Sequence, residues 1–137
     1  MSPVLDASVF IAAISPAERH HHRARRLFES HPDTEPFLVP ELFRVEVMAG
    51  LSRRGEPADL LDTVDAVIRG PRFHACPLDA ELLERAVLVA RVARLRAYDA
   101  VYVALALMWN APILTLDGEV VERSAAGFAE LRVFGSS

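Results

Sequence analysis

Four carboxylates stand at the positions in this chain where chemistry could be built. Asp6 and Asp117 directly follow the short apolar runs Pro3–Leu5 and Pro112–Leu116, and in an open parallel sheet ligands bind beyond the carboxyl ends of the strands. Asp99 lies at the start of the most apolar stretch, Tyr98–Asn110, where the positive end of a helix dipole favours a negative charge. Helix capping competes as an explanation for each of these three, because an aspartate before a helix accepts bonds from its first free amides. Glu46 is harder to explain that way. Its helical neighbours are Leu42, Phe43, Ala49 and Gly50, so no arginine one turn away can pair with it. A carboxylate bordered by apolar side chains costs free energy unless something meets it: solvent past Gly50, an arginine from another element, or a metal. Carboxylates gathered without lysine or cysteine are hard oxygen ligands, suited to Mg²⁺ or Mn²⁺ rather than Zn²⁺. The chemistry such a site favours is phosphodiester hydrolysis by metal-activated water, with no side-chain nucleophile required. Ser8, two residues after Asp6, and Thr115, two before Asp117, fit either as tethers for metal-bound water and the aspartates or as a local cap and a strand residue.

The elements that must position these acids alternate short apolar strands with longer helical patterns, the sequence form of an α/β fold with a parallel sheet. Strand Pro3–Leu5 leads into a helix over Ala7–Ile14, ended by Ser15 and Pro16, and a second helix over about Ala17–Ser30 stops at the turn-rich His31–Pro36. Phe37–Val39 reads as the second strand, and Pro40 opens a helix to about Arg54, closed by Gly55. A helix over Pro57–Arg69 is broken by Gly70 and Pro71; Arg72–Cys76 follows as a strand and Asp79–Leu95 as a long helix. Tyr98–Asn110, apolar nearly all round, predicts a helix packed in the centre. Pro112–Leu116, Gly118–Ala125 and Leu131–Phe134 complete the pattern as strand, short helix and final strand.

Composition narrows the classes. The chain has 137 residues, 52% hydrophobic and 25% charged, which fits one domain over residues 1–137 and is too apolar for disorder. Its longest apolar run, Ala100–Trp109, is ten residues against the roughly 20 that span a bilayer, and no basic stretch precedes Val9–Ile14, so neither a membrane partner nor a secretory address is expected. The single cysteine, Cys76, excludes an internal disulfide and a cysteine-built zinc site and fits a cytoplasmic protein. All fifteen basic residues are arginine; without lysine, phosphate-loop, Schiff-base and phosphorelay-receiver chemistry drop out. The net charge of −4 argues weakly against a nucleic-acid coat. Two divalent cations at the four acids would cancel it and leave arginine-rich surface for phosphates.

At these residues the chain resembles the PIN-domain ribonucleases, and within them the VapC-like toxins of type II toxin–antitoxin pairs. The likeness is carried by VLDASVFIA around Asp6, PELFRVEVMAGL around Glu46, LRAYDAVYVALAL around Asp99 and APILTLD ending in Asp117, in that order along the whole chain. The resemblance implies a five-stranded parallel sheet in the order 3-2-1-4-5 with helices on both faces. It implies a catalytic and metal-binding set of Asp6, Glu46, Asp99 and Asp117 that holds Mg²⁺ or Mn²⁺ and hydrolyses RNA, and a cognate antitoxin that blocks the site. The alternative is an inactive PIN-fold module that acts through a protein partner. A haloacid-dehalogenase-type phosphatase also starts with a strand-end aspartate, but it needs a second acid where this chain has Ser8.

Other candidates divide the same way. Arg19, Arg23 and Arg26 share one side of the second expected helix, as a solvated face or as a phosphate-contacting edge. His20, His21 and His22 diverge by about 100° per residue and make a poor joint metal site. His74 and Cys76 read as structural strand residues. Trp109 reads as core, or as an exposed anchor for a partner or a second subunit, which leaves a homodimer open.

Overall fold

The computed structural model describes residues 2–127 and 133–134. Strand β1 (Val4–Leu5) precedes helices α1 (Ala7–Ile14) and α2 (His21–Glu29), and β2 (Phe37–Pro40) precedes α3 (Phe43–Arg53) and α4 (Ala58–Ile68). Then come β3 (Phe73–Cys76), α5 (Ala80–Ala93), α6 (Ala97–Met108), β4 (Ile113–Leu114), α7 (Gly118–Gly127) and β5 (Val133–Phe134). All pairings are parallel, and the first four strands stand in the order β3-β2-β1-β4, with Val4 opposite both Leu38 and Ile113. Of the expected full fifth strand, Leu131–Phe134, the described part is a two-residue edge pairing of Val133 and Phe134 with β4; residues 131 and 132 lie outside the described residues.

Parallel crossovers are right-handed. The steps β1 to β2 to β3 run one way along the sheet and the step β3 to β4 runs back, so the helices of the two halves fall on opposite faces. The packing follows this division: α1 lies on α2 and α3, and α3 on α4, while α5 lies on α6 and α7. Covered on both faces, β1, β2 and β4 are buried along their whole length.

On the first face the core is aromatic. Phe10, Phe28, Phe37, Phe43 and Phe73 meet with ring centroids 5.1–6.4 Å apart, and the Arg72 guanidinium lies 4.7 Å from the Phe28 centroid. A Cβ on Gly50 would stand 2.6 Å from the Ile11 Cδ1, so glycine lets α3 approach α1 closely. On the second face α6 buries every residue from Ala100 to Ala106, as its all-round apolar sequence predicts. Gly55 adopts φ 76° just past α3 and its N–H bonds Ser52 O at 3.0 Å, the expected glycine stop.

Three boundaries differ from expectation with consequences for the site. β2 extends through Pro40, opposite Cys76, with the Glu41 N–H bonded to Cys76 O at 3.0 Å, so the helix carrying Glu46 starts at Phe43. α2 starts at His21 rather than near Ala17, because the chain turns through residues 16–20. Arg19 therefore lies in that turn and not on the helix of Arg23 and Arg26.

Candidate active site

β1 and β4 end side by side, and the Asp6 N–H bonds Leu114 O at 3.0 Å, which brings the two strand-end aspartates to neighbouring exits of the sheet. Thr115 joins them. Its fully buried hydroxyl donates to Asp6 Oδ2 at 2.7 Å and accepts the Asp117 backbone N–H at 3.1 Å. Asp6 Oδ1 also accepts the Ser8 N–H at 3.3 Å as N-cap of α1, and Asp117 Oδ1 accepts the N–H groups of Glu119 and Val120 at 2.9 and 3.3 Å. Both aspartates thus cap a helix and face the strand ends; the two readings do not exclude each other. Asp99 is different. The N-cap of α6 is Arg96 and no side chain caps that helix, so capping does not account for Asp99.

Glu46 projects from the first turn of α3 and Tyr102 from α6 on the opposite face, and they meet beyond the strands. The Tyr102 hydroxyl donates to Glu46 Oε1 at 2.8 Å. This is the distant partner that sequence reasoning sought for Glu46, and it is a buried phenol rather than an arginine. The signal was present: Tyr102 follows Asp99 by one helical turn on the same side and carries the one polar side-chain atom of the buried stretch Ala100–Ala106.

Asp6, Glu46, Asp99 and Asp117 all line one cavity of about 670 Å³. Burial, together with the charges of Asp6 and Asp99, pushes the Glu46 carboxyl up to about 7. Burial, with Asp6 and Asp117 adding to it and Arg96 opposing, pushes Asp99 up to about 6. Asp6 is raised chiefly by burial, against the pull of its bonds from Thr115 and Ser8. Burial also raises the Tyr102 phenol, so it stays a donor at neutral pH.

The donor chemistry would suit a hard divalent cation: four carboxylates on one cavity, three of which, Asp6, Glu46 and Asp99, have their ionised forms disfavoured first by burial and then by neighbouring negative charge. Among the described residues, no three His, Cys, Asp or Glu side chains close on a single ion-sized point. The cavity also has a cationic border that sequence reasoning only partly found. Arg19, Arg53, Arg54 and Arg96 line it, whereas Arg23 and Arg26 are not among its described walls. His20 lines the cavity too, but His21 is buried with its Nδ1 2.7 Å from Ala12 O, so the three histidines form no joint site. Trp109 is 51% exposed and lies edge-on to His74; it is not core.

The PIN domain profile matches residues 4–125. The chain is 28% identical over 130 residues to Ribonuclease VapC3 of Pyrobaculum aerophilum, covering 92% of this chain and 97% of that protein. Its fold is similar to Mycobacterium tuberculosis VapC20, described as a Sarcin-Ricin loop cleaving toxin, with a TM-score of 0.76 at 24% identity over 96% and 99% of the two chains. It is also similar to a chain of a toxin–antitoxin complex from Klebsiella pneumoniae, with a TM-score of 0.71 at 18% identity over 97% and 96%.

Proposed function

We infer that this chain, which belongs to the PIN-domain family, is a metal-dependent endoribonuclease and the toxin of a toxin–antitoxin pair. The observation that carries the reading is the convergence of Asp6, Glu46, Asp99 and Asp117 on one cavity at the strand ends. The name of the relative from Pyrobaculum aerophilum and the toxin–antitoxin assembly among the similar structures support the substrate and the partner.

In this mechanism the four carboxylates would hold Mg²⁺ or Mn²⁺, which would supply charge stabilisation at the phosphate and activation of water. The chain's own residues do the positioning. Thr115 fixes Asp6 relative to Asp117 through one hydroxyl, and Tyr102 orients Glu46. The cavity is the size of a small-ligand cleft, so it takes a short stretch of a single strand, the form in which RNA bases are read. An RNA substrate places the reaction in the cytoplasm, where a cognate antitoxin is made and closes the acidic cavity.

The test is incubation of purified protein with total bacterial RNA in Mg²⁺ or Mn²⁺, with chelator and with metal restored. Cleavage that chelator stops and metal restores is expected, and Asp6→Asn is expected to lose it. Cleavage that survives both chelator and Asp6→Asn overturns the mechanism. Tight binding of a protein partner with no cleavage of any RNA favours the inactive-module alternative.

A further inference from the structure

Most arginines of the described residues are paired: Arg25 with Glu29, Arg44 with Asp65, Arg72 with Asp33, Arg85 with Glu81. Within the acidic cavity Arg54 pairs with Glu18 and donates to Gly50 O at 2.9 Å, and Arg96 stands 3.7 Å from Glu119. Two cavity arginines, Arg19 and Arg53, have neither an ion pair nor a hydrogen bond within the described residues.

Their placement is built. The Ser15 hydroxyl donates to Glu56 Oε1 at 3.0 Å, and Arg54 with Glu18 makes a second tie between the same two segments. The turn after α1 and the end of α3 are thereby held together, and each presents one unpaired guanidinium. Arg53 follows Glu46 by seven residues on α3, hence on the same side and about 10 Å farther along the axis. That is too far to neutralise Glu46 and well placed for an anion beside the one that the carboxylates engage. Both arginines are exposed while Asp6 is buried and the other three acids are half-buried, so positive charge borders an acidic floor. A guanidinium presents a planar fork of donors that matches phosphate oxygens two at a time.

We propose that Arg19 and Arg53 grip backbone phosphates of the RNA strand next to the scissile one, and so set its path across the cavity. The assignment rests on the ribonuclease reading and adds the contacts that hold the substrate.

The test is the salt dependence of binding. A short fluorescent single-stranded RNA of randomised sequence is titrated with protein across a KCl series at fixed Mg²⁺, in an Asp99→Asn background that leaves the probe intact. Arg19→Gln and Arg53→Gln are each expected to flatten the slope of log K against log salt by about 0.7, and the pair by about 1.4, the single-strand value per phosphate contact. Arg91→Gln, an exposed arginine on α5 away from the cavity, is the control and is expected to leave the slope unchanged. All variants should melt alike, since neither side chain is paired. An unchanged slope in the double variant, or an equal loss in Arg91→Gln, overturns the proposal and leaves the nuclease reading standing if the unsubstituted protein cleaves RNA. If the unsubstituted protein neither binds nor cleaves RNA, the nuclease reading falls and the proposal with it.

Discussion

Replacing Glu46 by glutamine is expected to stabilise the metal-free protein at alkaline pH and not at acidic pH. The Glu46 carboxyl is held at about 7 by burial and by Asp6 and Asp99, against an ordinary 4.5. A carboxyl raised on folding means that the folded protein binds more protons than the unfolded chain between those two values. Stability therefore falls as pH rises through that window, and the full penalty is present above about 7. At about 1.4 kcal/mol per pH unit the interval bounds the effect near 3 kcal/mol. Solvent reaching this half-buried group reduces it to about 1–2 kcal/mol, or about 3–6 °C in melting temperature for a chain of this length. Glutamine keeps the shape and still accepts the Tyr102 hydroxyl, so the comparison isolates the charge. The assay is thermal melting in chelator at pH 5 and pH 8. The variant should melt about 3–6 °C higher at pH 8 and close to the unsubstituted protein at pH 5. A lower melting temperature at pH 8, or the same difference at both pH values, refutes the electrostatic account of Glu46.

Further outcomes follow from the same contacts. Asp99→Asn should also raise the melting temperature of metal-free protein, by about 1 kcal/mol in stability, and should blunt the concentration-dependent stabilisation that Mn²⁺ gives the unsubstituted protein by mass action; an undiminished Mn²⁺ response in a melting series would show that Asp99 is no ligand. Thr115→Val keeps the volume and removes the hydroxyl that bridges Asp6 and the Asp117 amide, so urea unfolding should show a loss of about 1–3 kcal/mol together with slower cleavage. Gly50→Ala places a methyl 2.6 Å from Ile11 Cδ1 and should cost about 1–3 kcal/mol; the double variant with Ile11→Val, which deletes that methyl, should recover much of it in the same unfolding assay.

The inner strands and most helices were legible because their sequence signals are local. Val4–Leu5 is a short apolar run followed directly by Asp6, Ile113–Leu114 is one with Asp117 three residues beyond its end, and Gly55 marks the end of α3 by adopting the left-handed turn only glycine enters freely. The acids were legible for the same reason, since a strand end fixes where Asp6 and Asp117 emerge. What sequence could not give depends on packing between distant segments. Proline suits a helix start, and the local signal at Pro40 is that one, whereas tertiary pairing with Cys76 keeps it in the sheet. The partner of Glu46 lies 56 residues away on the other face, beyond any helical spacing rule. Helical periodicity groups Arg19 with Arg23 and Arg26, but the turn at residues 16–20 interrupts it, and the tie between Glu18 and Arg54 that places Arg19 is invisible in either segment alone.

The central claim is that the four converging carboxylates are the catalytic centre of an RNA hydrolase. The most direct measurement is mapping of new RNA ends after incubation with the unsubstituted protein, Glu46→Gln and Asp99→Asn, each in Mg²⁺ and each verified as folded by its melting curve. The account predicts discrete new ends with the unsubstituted protein and their loss in both variants, although both variants are folded. The same ends at the same rates in all three proteins would contradict it.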